Sequence, residues 1–165
     1  MVPATIHRKL IVEPSSTAEL GARGGMPALA GTVDAERNGT TLLKYLMVGV
    51  GGCLGSILRF WLGSYIGSKM GTRFPYGTFV VNITGSFLIG LVFALFKTQW
   101  GPNLRYLVAI GFIGGYTTFS SFEYETLRTV QDGQIGLGLL YVAASVVVGF
   151  VAVWGGMIAG RAMVG

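Results

Sequence analysis

The apolar segment from Leu104 to Leu127 is interrupted by Gly114-Gly115-Tyr116-Thr117-Thr118-Phe119-Ser120-Ser121-Phe122. With a helix beginning near Leu104, Gly114 lies ten residues in. At about 1.5 Å per residue that is roughly 15 Å, half of a hydrocarbon core about 30 Å thick. A purely structural span does not place two glycines and four Ser/Thr hydroxyls at that depth. Backbone released from helical hydrogen bonding is tolerated there only inside protein or along a cavity, because an unsatisfied amide in lipid costs several kcal/mol. The interruption therefore points to a polar path or an ion site.

Composition agrees with a membrane chain. Hydrophobic residues make up 52% and charged residues 12%, with a mean hydropathy of +0.62, whereas soluble domains carry about 25% charged residues. Most of the 27 glycines fall inside apolar runs, where they let transmembrane helices approach closely. Four runs are read, near Leu42 to Ile66, Gly77 to Phe96, Leu104 to Leu127 and Ile135 to Gly160. The expectation is one all-α membrane domain over residues 41–165, with four transmembrane helices, the third broken near its centre. Cys53 is the only cysteine and His7 the only histidine, so neither an intrachain disulfide nor a His/Cys metal site is expected.

Residues 1–40 differ, with Pro3, Pro14 and Pro27, the pair Ser15-Ser16, and no sustained apolar period. They read as a disordered N-terminal tail. The tail lacks the apolar core of a secretory signal, and its acids weigh against a transit peptide. Its basic residues Arg8, Lys9, Arg23 and Arg37 are balanced by Glu13, Glu19, Asp34 and Glu36, so the net charge of +5 belongs to the membrane part. The cations are scattered at helix ends, not clustered with aromatics, and nucleic acid is not an expected partner. With the N-terminus inside, Lys44, Lys97, Arg105 and Arg161 would lie at cytoplasmic ends, against Lys69, Arg73 and Arg128 opposite. So small a bias is compatible with insertion in both orientations and an antiparallel homodimer, or with one weakly specified orientation.

Polar residues recur at helical spacing within the runs. Gly51, Gly55, Arg59 and Gly63 share one face of the first; the glycines read as a packing stripe, while Arg59 either snorkels to headgroups or forms a cationic vestibule. Thr78, Asn82, Ser86 and Gly90 share a face of the second run, and the Asn82 amide needs partners across a helix interface or in a watered track. Tyr141, Ser145 and Gly149 form a similar stripe in the fourth; a Ser bonding back to its own helix is the plainer reading there. Phe119 and Phe122 are either core or a pair of ring edges, whose positive side can meet an anion. Glu123 and Glu125 read as interfacial or paired with Arg128.

Taken together, Gly51-Gly52 through Arg59-Phe60, Gly77-Thr78 with Val81-Asn82 and Gly85-Ser86-Phe87, and Gly111 through Phe122 resemble the Fluc (CrcB-type) fluoride channel family over about residues 43–162. The resemblance implies a multi-pass protein of the plasma or bacterial inner membrane. It further implies a dual-topology antiparallel homodimer with two fluoride pores and a structural sodium ion at the dimer centre. On that basis the carbonyls of Gly114 and Thr117 would hold sodium. Phe119 and Phe122 would line the pores, with polar contacts from Asn82, Thr118, Ser121, Tyr141 and Ser145. Arg59 would stand near an entrance and Glu125 near a pore end. Two departures stand out: Gly149 follows Ser145 where the family's polar track can carry another hydroxyl, and Ser121 replaces a common threonine.

The implied function is passive export of fluoride down its electrochemical gradient. The alternative is a small proton-coupled multidrug exporter, which needs a titratable group within the membrane. The first, second and fourth runs contain no Asp or Glu, and those of the third follow its break. No nucleophile with a neighbouring base is evident, so an enzyme is not expected.

Overall fold

The computed structural model describes residues 27–71, 73–96 and 101–165, with side chains from Gly39 onward except at 102. Residues Met1–Asn38 and Gly39–Gly165 form separate units, of which the second is treated below. The tail expected over 1–40 lies outside the described residues through position 26, and helix is assigned from Pro27. Lys97, one of the expected orientation charges, is also outside them.

All regular elements among the described residues are helical. Helix α1 is Pro27–Met70 and α2 is Tyr76–Leu95. The next element, α3, covers 102–116 as a helical turn Pro102–Arg105, a π-helical stretch Tyr106–Ile113 and a last turn Gly114–Tyr116. Helices α4 and α5 are Phe119–Gln131 and Ile135–Val164. Three stretches are long and apolar enough to cross a membrane: Gly39–Met70, Tyr76–Leu95 and Ile135–Val164. The expected fourth crossing corresponds to α3 and α4 together, neither of which has that length alone. Glycine is required by the backbone where α1 ends, at Gly71 with φ +83°, and between α4 and α5, at Gly133 with φ +80°. At the second turn Gly133 N donates to Val130 O at 3.0 Å and Gln134 N to Thr129 O at 3.1 Å, closing the carbonyls at the end of α4.

The helices meet backbone to backbone through glycine. A Cβ on Gly51 would overlap the Leu107 carbonyl and one on Gly55 the Phe112 carbonyl, contacts that advance together, so α1 and α3 run parallel with their axes drawn close. Helices α2 and α5 are joined the same way: Gly90 abuts Val153, Gly156 abuts Phe87 and Leu91, and Gly160 abuts Leu91 and Ala94. These pairs advance together, so α2 and α5 are also parallel. The broken segment descends antiparallel beside α2. Arg105 lies over the Phe93 ring, Tyr116 OH meets Thr84, Thr118 meets Asn82, and Glu125 meets Thr78.

Among the described residues the buried apolar set is small: Val81, Ala94, Ala109, Ile113, Tyr116, Phe122 and Tyr141. Large apolar side chains such as Phe60, Leu139, Phe150 and Trp154 point outward. Such a surface is matched by lipid rather than water.

Candidate functional site

The helix break is two extended residues, Thr117 (φ −84°, ψ 156°) and Thr118 (φ −146°, ψ 120°). Extending both releases carbonyls at the end of α3 and N–H groups at the start of α4. Asn82 of α2 takes up both backbone polar groups of Thr118. Its Nδ2 donates to Thr118 O at 3.0 Å, and Thr118 N donates to its Oδ1 at 2.8 Å. Both halves of the amide are thus engaged, and the partner sought from the sequence is the break itself. The Thr118 hydroxyl caps α4 by accepting from Ser121 N at 3.3 Å and donates to Ser121 Oγ at 3.1 Å. Thr117 Oγ1 bonds back to Ile113 O at 3.1 Å.

Helix α1 supplies the remaining support. Arg59 Nε donates to Gly115 O at 3.2 Å and Ser56 Oγ to the same oxygen at 3.4 Å. Arg59 therefore reaches the interior of the break, neither snorkelling away nor standing free. From α2, Thr84 Oγ1 and Tyr116 OH pair at 2.8 Å. Ser56 and Thr84 carried no distinguishing signal in the sequence beyond lying one turn before Arg59 and two residues past Asn82. Among the described residues no hydrogen bond reaches the carbonyl oxygens of Gly114 or Thr117. Gly114 is helical (φ −62°, ψ −36°), with no heavy atom of another segment within 4 Å of the place a Cβ would take.

Lower on α4, Glu125 joins three helices. Thr78 Oγ1 donates to its Oε1 at 2.7 Å and Tyr141 OH to its Oε2 at 3.0 Å. These hydroxyls, not Arg128, hold the carboxylate. Tyr141 is fully buried, with its ring 5.0 Å from Phe122 at 61° and 5.2 Å from Phe74 at 78°. The two phenylalanines part company: Phe122 is 8% exposed and Phe119 74% exposed. Their centroids are 5.9 Å apart. Ser145 Oγ is buried without a hydrogen-bond partner.

A cleft of about 960 Å³ opens between the C-terminal part of α1, the start of α2 and helix α4. It runs from Arg73, Arg128 and Asp132 inward past Arg59, Thr78 and Glu125 to Thr118 and Ser121. Three guanidinium groups against two carboxylates give it a net positive character, which raises the local concentration of anions. The structure thus gathers Arg59, Asn82, Thr118, Ser121, Phe122, Glu125 and Tyr141 around one polar interior, sets Ser145 one turn further along α5, and turns Phe119 outward.

Long apolar helices around a hydroxyl- and amide-lined break, entered by a cationic cleft, define a multi-pass membrane protein with a polar path part of the way through it. The chain belongs to the family described as CrcB-like protein, Camphor Resistance (CrcB), whose model matches residues 46–157. It is 49% identical over 124 residues to the fluoride-specific ion channel FluC of Acidobacterium capsulatum, covering 74% of this chain and 99% of that one. The protein of the same name from Solibacter usitatus is 47% identical over 121 residues, covering 72% and 99%. That of Geotalea daltonii is 45% identical over 118 residues, covering 70% and 95%. These relatives are named as ion channels, not enzymes.

Proposed function

We propose that this protein is a passive, fluoride-selective channel that lets the anion leave the cytoplasm down its electrochemical gradient. The observation that carries the reading is the identity to proteins named fluoride-specific ion channels over nearly their entire length. The geometry of the break supports it. A channel for a tightly hydrated anion must replace water with donors that also release the ion, and neutral hydroxyls and amides meet that need better than a fixed cation in the narrow region. Thr118 and Ser121 stand at the inner end of the cleft, with Asn82 bonded to Thr118 behind them, and Arg59 is tied to a carbonyl, which tempers its charge there. Ser145, its hydroxyl uncommitted, carries the donors onward past Tyr141, whose own hydroxyl is held by Glu125.

The working unit in this reading is an antiparallel, dual-topology homodimer in which α3 and α4 together make the fourth crossing. The outward-facing Gly114 and Phe119 support a partner, since Gly114 meets no other segment of its own chain and Phe119, though beside Phe122, is largely exposed. Phe119 would then present its ring edge to the pore of the pair, beside Phe122. The unpaired carbonyls of Gly114 and Thr117 have the hard oxygen chemistry suited to sodium, and no His, Cys, Asp or Glu cluster among the described residues offers an alternative metal site. When bound, sodium would supply a fixed central positive charge and pin the broken helices of the two protomers.

Two measurements test this reading. Liposomes containing purified protein under an imposed potential should release fluoride far faster than chloride with no proton gradient; a strict requirement for a proton gradient would overturn passive conduction in favour of a coupled exporter. Reporters fused to the C-terminus should appear on both sides of the membrane in comparable amounts. A single orientation in every fusion would eliminate the antiparallel dimer.

A further inference from the structure

The parallel helices α2 and α5 keep one register along their contact. Thr78 and Tyr141 meet through Glu125, Ser86 lies beside Gly149, and Gly90 lies against Val153. Each pair is separated by the same offset in residue number, which sets Asn82 level with Ser145. Successive levels are one turn apart, about 6 Å. The first two levels bear polar side chains on both helices, and the Gly90–Val153 level bears none. At the third, α5 has only Gly149.

The space beside the missing side chain is bordered from across the interface. A Cβ on Gly149 would lie 3.7 Å from Ser86 Oγ and 3.8 Å from Ile83 Cδ1. Among the described residues no hydrogen bond engages Ser86 Oγ, in contrast to Thr84, whose hydroxyl is 2.8 Å from Val80 O of its own helix. One turn back, Ser145 Oγ is buried and also without a partner, whereas Ser86 is half-buried. Two uncommitted hydroxyls on adjoining levels of one interface are costly in a membrane unless a transient partner passes them.

We propose that Ser86 is a pathway residue, supplying from α2 the donor that α5 lacks at Gly149 and so extending the polar track by one turn. This rests on the reading of the protein as a fluoride channel. Ser86→Ala should lower fluoride flux per dimer about fivefold, the effect of one lost hydrogen bond at a barrier. Adding Gly149→Ser to that variant should restore it, because the position has ordinary van der Waals room and the new hydroxyl would return at the same level. Flux from liposomes, with dimer content checked by gel filtration, is compared for wild type, S86A and S86A/G149S. Unchanged flux in S86A beside an active wild type overturns this inference alone. So does a double variant that remains as slow as S86A while dimeric, since Ser86 would then act only in packing. A wild type that moves no fluoride overturns the functional reading and this inference with it.

Discussion

Asn82→Asp is expected to reduce fluoride flux about a hundredfold or more while leaving the helices assembled. The amide now donates to Thr118 O at 3.0 Å and accepts from Thr118 N at 2.8 Å. An aspartate keeps the acceptor but sets an oxygen against the Thr118 carbonyl, leaving that carbonyl without its donor. It also places a negative charge directly beside Thr118, which lines the inner end of the cleft that an anion would have to pass. Loss of a donor to a buried carbonyl costs about 1–3 kcal/mol, and the charge repulsion adds to it. The measurement is flux per dimer in liposomes, beside gel filtration. Unchanged flux from an intact dimer would remove Asn82 from the pathway and reduce it to a support for the break.

The second large effect is on stability, and it separates two glycines that look alike in sequence. Gly55→Val is expected to prevent folding, at a cost of more than about 4 kcal/mol. Its Cβ would overlap the Phe112 carbonyl and sit 2.8 Å from Tyr116 N, both backbone atoms of the last turns before the break. Gly114→Val should behave differently. Gly114 is helical and its own chain leaves the site open. The variant should therefore keep its helical content and lose the dimer, as a branched side chain enters the face proposed for the partner. Circular dichroism and gel filtration in detergent distinguish the outcomes. A folded Gly55→Val would show that α1 and α3 can separate at little cost, and a dimeric Gly114→Val would place the protomer interface elsewhere.

Much of the architecture was legible because a membrane leaves few choices. Runs of apolar residues long enough to span can only be helices, and the glycine and hydroxyl string within the third could only be a break buried in protein. Stripes at every fourth position correctly grouped Thr78, Asn82 and Ser86 on α2, and Tyr141, Ser145 and Gly149 on α5. The residue string from Gly111 to Phe122 also carried the family. The eight-residue π-helical stretch Tyr106–Ile113 was not legible, since its side chains read as any apolar helix and its winding is a matter of backbone packing.

What the sequence determined by itself was the class of protein and the place of the break, because both follow from local composition, spacing and the cost of bare backbone in lipid. What only the tertiary structure decided was who meets whom across helices. Arg59 reaches Gly115 O, Asn82 bonds both backbone polar groups of Thr118, Glu125 binds Thr78 and Tyr141, and Ser86 lies beside Gly149. Helical spacing says which residues share a face. The depth and register at which two such faces interlock are set by glycines on both helices at once, and no single run of sequence contains them.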